Sequence, residues 1–384
     1  MKTLQKINDL ALDLHQSLVD RWTAIQAAIL ALLTGEHLVL LGPPGTAKSL
    51  LVRELCNRLK GATYFEKLLT KFSTPEELFG PLSLAALEKD LYKRVTAGSL
   101  VEAHIAFLDE IFKANSAILN SLLTLINERL YQEAGQVTRV PLLSLFAASN
   151  ETPEEDGLGA LYDRFLLRVE VPYLSEDQSF RALLTMGPST PQVSLTLKEL
   201  RTAQNAVMAV TAGPRAIDAL VALKRELEGE GIVASDRRWR TSVRLVRAAA
   251  WLEGAVTATE DHCQCLTHTL WTKPEERRLV ERMVAKVTNP LDLEAIELED
   301  AARDLYDQKP RPGTQGLIQA LEPLLKQLDD IHTRLEGRIA RVEDRKAARA
   351  REALGRVERW KGELGQMALS SLSALALAPG SGGN

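Results

Sequence analysis

The 384 residues, 45% of them hydrophobic, are enough for two or three domains with cores of their own. A formal net charge of -4 and a pI near 6.0 provide no global basic field for nucleic acid or an anionic membrane. Apolar stretches are broken well short of the ~20 residues that a bilayer demands, and Met1 to Lys6 leads into charged, helix-like sequence instead of a signal peptide. These features point to the cytoplasm. Cys56, Cys263 and Cys265 make no disulfide framework. His262-Cys263-x-Cys265-x-x-His268 lacks the spacing of a structural zinc site and reads as ordinary helix positions.

Leu10, Leu14, Leu18, Trp22, Ile25, Ile29, Leu32 and Leu33 recur at helical intervals, so residues 1–34 are predicted to form helices. The run Leu38-Val39-Leu40-Leu41 is a buried strand, and Gly42-Pro43-Pro44-Gly45-Thr46-Ala47-Lys48-Ser49 after it reads as a phosphate-binding loop. Its backbone N–H groups and the positive end of the next helix would face one anion. Lys48 would lie between the β- and γ-phosphates, and the Ser49 hydroxyl would ligate Mg²⁺. Alanine stands at 47 where the motif has glycine. A methyl at a helix start is expected to be harmless.

A helix over 49–59 and a strand over 62–66 follow, then a capped helix from Ser73-Thr74-Pro75 with a glutamate three residues on. Residues 91–100 suit a short strand pair around Gly98, and 129–141 a second pair turning at Glu133-Ala134-Gly135-Gln136. Between them lies the strand Ile105-Ala106-Phe107-Leu108, ending in Asp109-Glu110. Carboxylates at the carboxyl end of a parallel strand face the crevice where open α/β sheets bind ligands. Asp109 can hold the Mg²⁺ shell there while Glu110 polarises a water.

An amphipathic helix over 116–129 precedes the strand 142–148, which ends in Ser149-Asn150; by itself this asparagine reads as a turn former, and its amide is also able to bond the attacking water or the γ-phosphate. Leu161-Tyr162-Asp163-Arg164-Phe165 leads into the strand 166–171, the fifth of a parallel sheet. Arg164 is a candidate finger reaching a neighbouring subunit's γ-phosphate. Its alternative is a surface ion pair with Asp163, and Arg168 is the fallback finger. From Ser175 the pattern turns wholly helical. Ser235-Asp236-Arg237-Arg238-Trp239-Arg240 caps a basic helix whose arginines either sense bound phosphate from a lid or form a solvated basic face. After a linker at 309–313, Leu317, Leu321, Leu324, Leu328, Ile331, Leu335, Ile339 and Val342 make a coiled-coil-like stripe that fades across 343–351 and resumes at Leu354. It reads as a helical hairpin or one long helix.

In this order and spacing, the loop, the Asp-Glu strand, the Asn-ending strand, Asp-Arg-Phe and the lid arginine resemble AAA+ ATPases. Phe72-Ser-Thr-Pro-Glu-Glu-Leu-Phe-Gly-Pro-Leu82, Leu119-Asn-Ser-Leu-Leu123, Ile126-Asn-Glu-Arg129 and Ser235-Asp-Arg-Arg-Trp239 are similar to the MoxR family, its RavA-like branch in particular, over about residues 1–290. The resemblance implies an α/β P-loop core over 1–172 with a five-stranded parallel sheet and hairpin insertions. It also implies an all-α lid over 173–290, while the residue pattern beyond it gives a helical segment over 291–370 and a disordered tail over 371–384.

By the same resemblance, Gly42, Pro43, Pro44, Gly45, Thr46, Ala47, Lys48, Ser49, Leu50 and Asp109 would hold ATP, with Ser49 and Asp109 on Mg²⁺. Glu110, Asn150, Arg164 and Arg237 would act in hydrolysis, with Arg238 the alternative lid sensor. The expected assembly is a hexameric ring or spiral that remodels a protein client together with a von Willebrand factor A domain partner. RavA-like proteins carry a β-rich insertion that binds a lysine decarboxylase, and this chain has no room for it. A nucleic-acid motor would need a basic channel, whereas Lys93, Arg94 and Arg139 are the basic residues on the expected hairpins. A non-hydrolysing scaffold would have no use for Glu110.

Overall fold

The computed structural model describes residues 2–133, 135–152, 159–187, 190–314, 316–342 and 347–377. They fall into two compact units, residues 1–280 and 281–384. The first opens with α1 (Lys2–Ser17) and α2 (Trp22–Thr34), whose apolar positions Leu10, Leu14, Ile25 and Ile29 are buried as their spacing predicts. The strand β1 (Leu38–Leu41) is buried at every residue and runs into the loop before α3 (Lys48–Asn57). There follow β2 (Tyr64–Leu68), β3 (Ile105–Asp109), α4 (Ser116–Glu128), the hairpin β4 (Leu130–Glu133) and β5 (Gln136–Arg139), β6 (Ser144–Ser149) and β7 (Leu167–Glu170).

Five of these strands form one sheet in the order β2-β3-β6-β1-β7, every pairing parallel. The continuous apolar runs of β1, β3 and β6 suit a sheet covered on both faces. In this register Leu41 lies beside Ser149. Residues 42, 109 and 150 therefore leave the sheet at its carboxyl edge. From behind, the fully buried Arg58 at the end of α3 donates to Asp13 of α1 at 2.7 Å and to Ser17 at 2.9 Å, which fastens the loop's helix to the first helix.

The expected hairpin at 129–141 is present as β4 and β5, antiparallel; Ala134 of its turn lies outside the described residues. The one expected at 91–100 is not formed. Its residues turn back on the preceding segment through one antiparallel bridge, Leu82 to Arg94, and no strand pair turns at Gly98. Packing at Gly80 accounts for this, since a Cβ there would lie 1.9 Å from the Val95 carbonyl oxygen. Arg94 then clamps the bridge, donating to the Gly80 carbonyl at 2.9 Å and pairing with Glu76 at 3.1 Å and Glu133 at 3.2 Å.

Beyond Pro172 come α5 (Asp177–Thr185), α6 (Leu197–Ala209), α7 (Pro214–Gly229), α8 (Asp236–Leu252) and a 3₁₀ segment, Glu260–His268, in which Cys263 and Cys265 lie. This half is not wholly helical. Thr211–Ala212 pairs with Thr257–Ala258, and Leu195–Thr196 with Leu59–Lys60 of the core, both parallel.

The second unit contains α9 (Pro290–Asp307), α10 (Leu317–Ile339) and α11 (Ala348–Leu377) around a shared apolar core that includes Leu298, Leu321, Leu328, Leu335 and Val357. The leucine stripe is thus a hairpin joined by a third helix. Glu299 of α9 is buried against Arg349, at 2.6 Å, and Arg356 of α11. Helix α11 continues to Leu377, so residues 371–377 of the expected disordered tail are helical, and 378–384 lie outside the described residues. No helix among the described residues is long and apolar enough to cross a membrane.

Candidate nucleotide site

The loop between β1 and α3 takes its shape from two unusual backbone positions. Gly42 adopts φ 149°, and a Cβ there would lie 2.3 Å from the Val171 carbonyl oxygen, so the residue just past β7 crowds the loop's first residue. Ala47 adopts φ 66° and is the residue before the first helical position. The expectation of a harmless methyl at a helix start therefore fails, because the residue sits in left-handed conformation outside the helix. That conformation costs an alanine about 1 kcal/mol. Ala47→Gly should raise the unfolding free energy by up to about 0.5 kcal/mol, after the glycine's greater freedom in the unfolded chain is allowed for. Urea denaturation of the two proteins checks it, and a destabilised variant would contradict the strain.

Lys48 and Ser49 open α3. The Lys48 ammonium is buried and donates to the carbonyls of Gly42 at 2.6 Å and Pro43 at 2.7 Å, groups of its own loop. Burial lowers its pKa, an effect opposed by Asp109 and Glu110. Thr46 braces the loop with a bond to the Pro43 carbonyl at 3.0 Å. Pro44, Gly45 and Leu50 are exposed on its outer side.

Asp109 is the last residue of β3, and burial raises its carboxyl pKa, with the nearby Lys48 opposing. Glu110 donates its backbone N–H to the Asp109 carboxylate at 3.0 Å and adopts φ 53°, a left-handed turn that separates the two side chains. Strain of this kind collects at functional sites. The Glu110 carboxylate accepts from the Asn150 amide at 2.8 Å, and its other oxygen lies 3.1 Å from the Lys113 ammonium. Expected to contact water or phosphate, Asn150 here holds Glu110.

Two participants escaped the sequence reading. Lys113 is one. The other is Arg21, a buried residue that donates to the carbonyls of Thr46 at 3.0 Å and Pro172 at 3.0 Å and so ties the loop to the end of the sheet. A lone arginine before a helix carries no motif, and only its burial marks it.

The four candidate arginines separate cleanly. Arg164 follows the short helix Gly159–Tyr162 and is half-buried, with an Nε shielded from water and lacking a hydrogen-bond partner. Its sequence neighbour Asp163 is not its counter-ion, because Arg238 takes that carboxylate at 3.2 Å. Arg238 is itself buried and also donates to the carbonyls of Leu166, Phe165 and Thr269. Arg168 is equally committed: it bonds the Trp271 and Tyr162 carbonyls and lies 3.9 Å over the Tyr162 ring. The fallback finger and the alternative lid sensor are thus both engaged by carbonyls of their own chain.

Arg237 is exposed and reaches the Asn127 amide oxygen at 3.2 Å, in the last turn of α4, in the field of Glu36 beside the amino end of β1. The loop is at the opposite end of that strand, ~13 Å away by strand rise alone. Arg237 therefore does not point at its own subunit's loop.

Residues 5–209 match the family model described as the MoxR domain in the MoxR-vWA-beta-propeller ternary systems, and residues 215–284 match an AAA lid domain. An uncharacterized protein of Methanocaldococcus jannaschii is 40% identical over 79% of this chain and 81% of its own length. Chaperone MoxR1 of Mycobacterium tuberculosis is 27% identical over 44% of this chain and 45% of its own. Among solved structures, a candidate ATPase of Cytophaga hutchinsonii shares the fold, with a TM-score of 0.60 at 19% identity, over 74% of this chain and 95% of that one.

Proposed function

The chain belongs to the MoxR family of AAA+ ATPases, and from that premise we propose that it is an ATP-hydrolysing motor acting in a ring on a protein client. The observation that carries this reading is the grouping of Lys48, Asp109, Glu110 and Asn150 at one sheet edge. The residues suit nucleotide: around Gly42 the loop has no space for a side chain, and its outer residues Pro44 and Gly45 are open. Mg²⁺, for which Ser49 and Asp109 are the fitting donors, would neutralise charge on the phosphate oxygens. In our reading Glu110 takes the proton of the attacking water. Arg164, without a carboxylate of its own among the described residues, is offered to a neighbour's site. Arg237, turned from its own loop, would serve a neighbour too.

The match to MoxR-vWA systems supports a partner with a von Willebrand factor A domain, and the name of the mycobacterial relative supports a chaperone-like role. A nucleic-acid motor loses ground, because Arg94 is spent on Glu76 and Glu133. The test is ATP turnover measured beside molecular mass across a dilution series. Specific activity is expected to rise only as oligomers form; turnover by monomers at full rate, or assemblies that bind nucleotide and never turn it over, would overturn the reading.

A further inference from the structure

Beyond Arg237, the basic helix α8 carries arginines that the proposed hydrolysis does not use. Arg240, Arg244 and Arg247, spaced four and three apart, lie on one side of it. With Thr241, Val243 and Met208 of α6 they line a cavity of about 320 Å³. Arg244 is paired with Glu36 at 3.2 Å. Arg240 and Arg247 have no carboxylate partner among the described residues, and the Arg247 Nε is shielded from water with no acceptor. A shielded guanidinium N–H without an acceptor is costly, and the groove is short of negative charge.

We propose that this groove docks a carboxylate-rich segment of a protein partner, its acidic side chains meeting Arg240 and Arg247 and its apolar ones meeting Met208 and Val243. Guanidinium forks match carboxylates two bonds at a time. The seven helical steps from Arg240 to Arg247 span about 10 Å, the length of two turns of an acidic helix. That is a short track for a nucleic acid. Arg237 lies on the same helix but does not line the groove, and Arg240 and Arg247 have no part in the proposed hydrolysis, so turnover and peptide binding test the two readings separately.

The test uses the full chain and a fluorescein-labelled peptide with glutamates three and four apart in an alanine background, at about 50 mM salt. A glutamine version of the peptide and a short duplex DNA are run beside it. The acidic peptide should bind, and the double variant Arg240→Gln/Arg247→Gln should weaken binding about tenfold or more. Arg215→Gln, an exposed arginine already paired with Glu260, should bind as the parent does. ATP turnover should be unchanged in the double variant, and Arg240→Gln alone, at an exposed position, serves if the double variant fails to fold. Equal binding by parent and variant, no peptide binding by the parent, or tighter binding of DNA through the same arginines would each overturn the proposal.

Discussion

Arg164→Ala is expected to lower ATP turnover by about 10³–10⁵-fold, the range for loss of an arginine supplied across an interface, while leaving nucleotide affinity of the isolated chain unchanged. The structure supports so large an effect because the residue is held and yet unspent. Tyr162 and Phe165 on either side are buried, which sets the backbone between them. Asp163, the obvious counter-ion, is occupied by Arg238. The measurement is turnover of Arg164→Ala alone and mixed with Glu110→Gln. If the arginine acts on a neighbour, mixed assemblies contain some interfaces with both groups intact, and activity should partly return. Undiminished turnover in the single variant would remove Arg164 from the reaction; mixtures that stay inactive would place its action within its own subunit.

Glu110→Gln should reduce turnover by about 10²–10⁴-fold, the usual contribution of a positioned general base, and should leave ATP bound. The substitution keeps the oxygen that accepts from Asn150 at 2.8 Å and removes the charge near Lys113. The fold and the left-handed turn at 110 should therefore survive, and a loss of activity can be read as chemistry. Binding of a fluorescent ATP analogue beside single-turnover hydrolysis separates the two effects. Turnover within about tenfold of the parent would assign water activation elsewhere.

Much of the candidate site's arrangement was legible along the chain. Four apolar residues before Gly42 and four before Asp109 make strands buried on both faces, and a parallel sheet delivers whatever follows such strands to one edge. That local logic predicted Lys48, Ser49, Asp109, Glu110 and Asn150 as neighbours, and their strands emerge at a single edge. The hairpin at 130–139 and the leucine stripe of α10 were equally local patterns.

What the pattern could not carry was the fate of each charged side chain and of backbone under long-range pressure. Ala47 looked like a helix start until the loop's geometry put it at φ 66°. The residues at 91–100 had strand-like composition, but Gly80 packs on Val95 and draws them into one bridge. Arg164, Arg168, Arg237 and Arg238 are chemically the same residue, and composition around them does not rank them. The contacts of three of them are made with acceptors far along the chain: Trp271 for Arg168, Thr269 and Asp163 for Arg238, Asn127 for Arg237. Apolar periodicity is a local record of which face is buried. A guanidinium's task depends on which carbonyls and carboxylates the completed fold brings to it, and that is decided only in three dimensions.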